Sequence, residues 1–143
     1  MNWRDHLVAT LRRLQPASVC TLDASAHRLA GPLFQPGQLR AYADPRVERC
    51  SLALGVDVLN GLEPRQGFEL LARVRTYAAP GILIAAQPRC GLSADEFRAL
   101  GFVASSYDAD EDVTVYHYDI ATYKPVPDWL NPKYWAHPER WEP

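Results

Sequence analysis

Leu52-Ala53-Leu54-Gly55-Val56-Asp57-Val58-Leu59-Asn60-Gly61-Leu62 is the stretch on which the fold turns. From Leu52 to Leu59 the run is apolar apart from Asp57, too short for a free-standing helix and without the polar alternation of a half-wetted strand. It reads as a strand buried on both faces. Asn60-Gly61 breaks it, and Pro64 fits the first turn of a helix, where its missing N–H costs nothing. Leu70, Val74 and Tyr77, with Leu71 and Ala78, form the inward face of that helix, while Arg65, Glu69, Arg73 and Arg75 face out. Pro80-Gly81 ends it, and Ile82-Leu83-Ile84-Ala85-Ala86 is a second continuous apolar strand.

Downstream, Ser93-Ala94-Asp95-Glu96 is a capping box, with Ser at the cap and Glu three residues on. The short helix it starts turns Phe97 and Leu100 inward and stops at Gly101. Phe102 to Tyr107 and Val113 to Asp119 flank the acidic turn Asp108-Ala109-Asp110-Glu111-Asp112 as an antiparallel hairpin. In its second strand Val113, Val115, His117 and Asp119 alternate with Thr114, Tyr116, Tyr118 and Ile120. The arm from Tyr123 to Pro143 carries Pro125, Pro127, Pro132, Pro138 and Pro143 among Trp129, Tyr134, Trp135 and Trp141, and proline on that scale prevents a regular sheet. Its tryptophans pack either on the chain's own domain or on a partner protein or second copy. The domain division expected is residues 1–122 and an arm, 123–143, packed on it.

Upstream, Trp3, Leu7, Leu11 and Leu14, with Val8 beside them, make one apolar helical stripe that ends before Pro16. Ala17 to Leu22 is a buried strand followed by Asp23. Residues 24–50 are the least legible; Gly31-Pro32 and Pro36-Gly37 are turns, Leu33-Phe34 plugs into the core, and Leu39 to Ala43 forms a strand stopping at Asp44-Pro45.

Composition limits the function. A chain of 143 residues, 48% hydrophobic and 22% charged, suits one globular domain. Its net charge of −2 supplies no field for nucleic acid or an anionic membrane. Arg far outnumbers Lys but is scattered. Cys20, Cys50 and Cys90 form no C-x-x-C pair, so neither a zinc site nor a disulfide framework is expected, and Cys20 reads as a small buried hydrophobe. No signal peptide or membrane span can be drawn, which makes the cytoplasm the expected compartment. The acidic run 108–112 reads as a solvated turn lacking the calcium-loop pattern.

The order strand, helix, strand, short helix, hairpin resembles the second half of class I S-adenosylmethionine-dependent methyltransferases. The segment Leu52 to Leu62 is similar to that family's fourth strand and following turn, Gly81 to Ala86 to its next strand, Leu100-Gly101-Phe102 to its "L-G-F", and Val115 to Asp119 to its last strand. The likeness spans roughly residues 51–120. It implies an α/β, Rossmann-like sheet, truncated, with a C-terminal antiparallel hairpin and a Pro/Trp-rich tail, in an uncharacterised bacterial family. It also implies a cofactor site at the strand ends involving Asp23, Ser25, Asp57 and Asn60, with Asp44 holding the ribose hydroxyls.

The first half departs from the family. Ala24-Ser25-Ala26-His27-Arg28-Leu29 has no glycine where the family's loop brings backbone close to the cofactor. Ser51 stands for the usual acid, and Asn60-Gly61 for Glu-His. Only seven residues separate Asp44 from Leu52, fewer than a parallel crossover normally takes, so residues 39–43 are expected to run antiparallel or lie outside the main sheet. The expectation is a methyltransferase-like pseudoenzyme without cofactor, persisting as a binding or scaffolding module. The alternative is a compact active methyltransferase using S-adenosylmethionine.

By position, Asp57 is the best single candidate, being a carboxylate at the end of a buried strand. Asp23 has the same logic with an Asx-turn role as its competitor. His27 is either a general base or a surface histidine, His117 a packed sheet residue, and Cys90, near Arg89, a candidate lowered-pKa thiol.

Overall fold

The computed structural model describes residues 2–42 and 49–120; Asp44 and the arm 123–143, with Trp129, Trp135 and Trp141, lie outside the described residues. Helix α1 (Trp3–Leu14) starts at Asn2, whose side chain accepts from the Asp5 N–H at 2.8 Å, and ends at Gln15 in the left-handed region. Strand β1 (Val19–Thr21) leads straight into α2 (Ala24–Ala30). Two 3₁₀ turns, Gly31–Leu33 and Pro36–Gln38, bring the chain to β2 (Leu39–Ala41). Then come β3 (Leu52–Gly55), α3 (Pro64–Arg73) extended by a π turn (Val74–Ala78), β4 (Gly81–Ala86), α4 (Ala94–Ala99), β5 (Val103–Asp108) and β6 (Val113–Asp119).

The six strands form one sheet in the order β2-β1-β3-β4-β6-β5. The first four are parallel, and β6 runs antiparallel between β4 and β5. Strand alternation sends Leu52, Leu54, Leu83, Ala85, Val113 and Val115 to the face covered by α1 and α2. Ala53, Ile82, Ile84, Tyr116 and Tyr118 go to the face covered by α3 and α4, where the Phe97 ring stacks on Tyr116 at 4.0 Å between centroids. Both faces of the central strands are therefore dry, which is why β3 and β4 read as unbroken apolar runs. Each fully buried Leu, Ile or Phe contributes about 1.5–3 kcal/mol, so the three layers cohere mainly through these side chains.

Four expectations change. Residues 39–41 lie inside the sheet and run parallel to β1, with Val19 opposite Leu39, rather than antiparallel or outside it. The crossover rule supposes strands of ordinary length. These have three and four residues, so the end of β2 and the start of β3, joined by the link 42–51, lie within about 15 Å of each other. Ten residues reach about 33 Å when extended, which suffices. Second, β3 ends at Gly55, so Asp57 stands in the turn beyond it. Third, Tyr77 is 69% exposed, while its neighbour Ala78 faces the core. Tyr77 lies in the π turn, which takes more residues per turn than the α-helix, so the spacing that put it in line with Leu70 and Val74 no longer applies. Fourth, the acidic turn is only partly solvated. Asp108 is buried and accepts from the backbone N–H groups of Trp3 (3.1 Å), Asp110 (3.0 Å) and Glu111 (3.3 Å), tying the hairpin to the start of α1.

Among the described residues no helix is long and apolar enough to cross a membrane.

Candidate functional site at the strand ends

From β1 the chain passes to β2 on one side, while β3 lies on the other, so the winding reverses between β1 and β3. In open α/β sheets the crevice beyond the strand ends at such a reversal is where ligands bind. Here a chain of hydrogen bonds crosses it. Asp23, extended at the cap of α2, accepts from the Val56 N–H (2.8 Å), the Asp57 N–H (3.0 Å) and the Ala26 N–H (3.3 Å). The carboxylate that follows β1 thus holds the turn that follows β3.

A second bridge runs through side chains. The Ser25 hydroxyl donates to Asp57 Oδ2, and Arg28 Nη2 donates to Ser25 Oγ at 3.0 Å. Asp57 Oδ1 accepts from Gln87 Nε2 (2.6 Å) and Asn60 Nδ2 (3.3 Å), and Gln87 Nε2 also reaches the Val56 carbonyl at 2.7 Å. The Ser25 bond, with that of Gln87 and the charge of Arg28, holds the Asp57 carboxyl below the usual carboxylate range against the partial burial that would raise it.

Asp23, Ser25, Asp57 and Asn60 are thus brought together. Sequence reasoning missed Gln87 and Arg28. Gln87 had a usable signal, being the first polar residue past a buried strand, as Asp57 nearly is. Arg28 lies one helical turn from Ser25, a spacing that places the two on one face.

Two clefts flank the bridged crevice. One, of about 350 Å³, lies between α1 and the strand ends, walled by Trp3, Arg4, Ser25, Arg28, Val56 and Asp57. The other, of about 450 Å³, opens over the ends of β1 and β2 and is walled by Thr21, Leu22, Asp23, Ala24, His27 and Tyr42. His27 is exposed, with Nδ1 2.9 Å from Thr21 Oγ1, and Thr21 donates to the Arg40 carbonyl at 3.2 Å.

The other candidates have different surroundings. His117 is half-buried in β6, and burial holds its pKa down. Cys90 is not a lowered-pKa thiol, because burial, with Glu96 nearby, pushes it up. Cys20 is buried, its thiol pushed up to about 12 by burial and by Cys50 beside it. No group of three or more His, Cys, Asp or Glu placed to hold a metal occurs among the described residues.

The fold is similar to that of solved methyltransferases. Magnesium protoporphyrin IX methyltransferase (ChlM) from Synechocystis PCC 6803 with bound SAH is 11% identical, with a TM-score of 0.59 over 80% of each chain. The methyltransferase domain of bacterial-CtHen1-CN is 8% identical, with a TM-score of 0.53 over 81% of this chain and 96% of that one. The 16S rRNA methylase RmtB is 17% identical, with a TM-score of 0.54 over 80% and 61%. At these identities the likeness establishes the Rossmann-like α/β fold alone. A search of curated proteins found no match. A family model described as a family of unknown function (DUF6231) matches residues 1–143.

Proposed function

The chain belongs to the DUF6231 family, and from that premise we propose that it is a methyltransferase-fold domain that binds a partner molecule without transferring a methyl group. The observation that carries this reading is the bridged crevice between β1 and β3. Helix α2 begins one residue after Asp23, so no glycine loop makes room beside β1. An adenosyl group laid across these strand ends would have to displace the Ser25–Asp57 bond and compete with three backbone N–H groups for Asp23. Leaving the amides of the buried residues Val56 and Ala26 without an acceptor costs about 1–3 kcal/mol each, which opposes binding before any contact is made.

The test is calorimetry and thermal shift of the full chain with S-adenosylmethionine and S-adenosylhomocysteine. The expected result is neither heat nor a change in melting temperature. A ligand at a hundred times its Kd adds about 2.7 kcal/mol of stability, so micromolar binding would be plain and would overturn the reading.

The open cleft over β1 and β2 favours a second reading, a compact active methyltransferase whose cofactor enters from that side. It requires that Asp57→Ala abolish S-adenosylmethionine binding; binding at full strength by that variant would count against it.

A further inference from the structure

We propose that the groove at the foot of α1 is the seat of the chain's own carboxy-terminal arm, with Trp129 as the side chain that fills it. This seat lies at the end of the sheet opposite the bridged crevice and is independent of what that crevice binds.

The groove has a volume of about 390 Å³. Leu11 lines it from the buried stripe of α1, Leu33 and Phe34 are half-buried in it, and Pro16 and Ala17 complete its apolar wall. Arg12, exposed in the last turn of α1, adds a positive charge to the lining. A concave apolar site of this size takes an aromatic side chain.

Topology brings the arm to it. Pro16 and Ala17 precede β1 and Gln38 precedes β2, so the groove lies where the parallel strands begin. The described chain leaves at that same end. Asp119 pairs with Gly81, the first residue of β4, and the Ile120 N–H donates to the Pro80 carbonyl at 2.9 Å. From β4 across β3 to β1 is two strand spacings, about 10 Å. Trp129 stands nine residues past Ile120, a reach of about 30 Å when extended. That length covers the step across the sheet and the rise to the helical layer. Pro125 and Pro127 in the connecting stretch reduce the entropy lost on fixing it.

Charge and loop length select Trp129 among the three tryptophans of the arm. Asp128 precedes it and suits the Arg12 guanidinium, whereas Lys133 is the nearest charge before Trp135, and Trp141 sits between Arg140 and Glu142. The loop ending at Trp129 is also the shortest and costs least to close. Tethering gives the arm an effective concentration of about a millimolar at the groove, which favours it over the arm of a second copy in dilute solution.

The experiment is nuclear Overhauser spectroscopy of the full chain. The Trp129 ring protons, identified as those absent from Trp129→Phe, should show contacts to the Leu33 methyls and the Phe34 ring that persist on dilution. Trp129→Ala should shift the amide signals of Ala17, Leu33 and Phe34 and leave those of Asp57 and Gln87 in place. It should also lower the melting temperature by several degrees. The proposal is overturned if Trp129 makes no contact with the groove, if Trp135 or Trp141 makes it instead, or if Trp129→Ala leaves the groove amides unmoved. Contacts seen only between differently labelled molecules in a mixed sample would assign the groove to a second copy and overturn it equally.

Discussion

Asp23 holds the amides of Val56, Asp57 and Ala26 with one carboxylate, and Ser25 carries the contact on to Asp57. The Asp57 carboxyl is held down chiefly by the Ser25 hydroxyl, so Ser25→Ala should raise its titration midpoint toward the ordinary carboxylate value. Carbon-13 NMR of the side-chain carboxyls reads this directly, and an unmoved midpoint would show that Gln87 and Arg28 suffice. The sign for stability follows. A carboxyl with a depressed folded-state pKa stabilises above its unfolded value, near pH 4, and loses that contribution as pH falls through the lower folded value. Ser25→Ala should therefore diminish stability at neutral pH and flatten its acid dependence. The positions of Asp23, Asp57 and Asn60 were legible because polar residues stood just past apolar runs. Ser25 entered through the resemblance, but its bond to Asp57 was not legible, since the two are 32 residues apart and nothing local links them, and Gln87 and Arg28 were missed.

At the scale of elements, β3 works by close approach. A Cβ on Gly55 would lie 2.8 Å from Ile84 Cδ1 and 2.9 Å from Val58 Cγ1, so Gly55→Ala overpacks the seam between β3 and β4. The expected cost is about 1–3 kcal/mol, measured by urea unfolding. Tyr77→Ser is the contrast. Sequence periodicity placed Tyr77 in the core, but its exposure predicts a change within about 0.5 kcal/mol. The apolar stripe of α1, the capping box of α4 and the alternation of β6 were readable because each is a local pattern with one geometric solution. The placement of β2 was not, because its three residues carry little apolar signal and its neighbour in the sheet, β1, is joined to it through α2 and two turns.

For the molecule as a whole, the α/β class and the closing hairpin followed from hydrophobic patterning, while the contact between the two ends of the described chain did not. Asp108 receives the Trp3 N–H across 105 residues, so the hairpin and α1 should unfold together. The two margins of the sheet also differ. On one side β2 is three residues long, whereas β5 presents six mostly exposed residues, among them Val103 and Tyr107. Pairing passes from Ala104–Tyr116 to Ser106–Val115, leaving Ser105 as an extra residue, fastened by its hydroxyl to the Val115 carbonyl and by His6 Nε2 at 3.1 Å. That irregularity bends the outermost strand. A straight one of this length invites a second molecule to add its own strand along it. Deleting Ser105 should convert a well-behaved protein into one that self-associates with rising concentration, visible as growing light scattering. The added residue is thus a safeguard of colloidal behaviour.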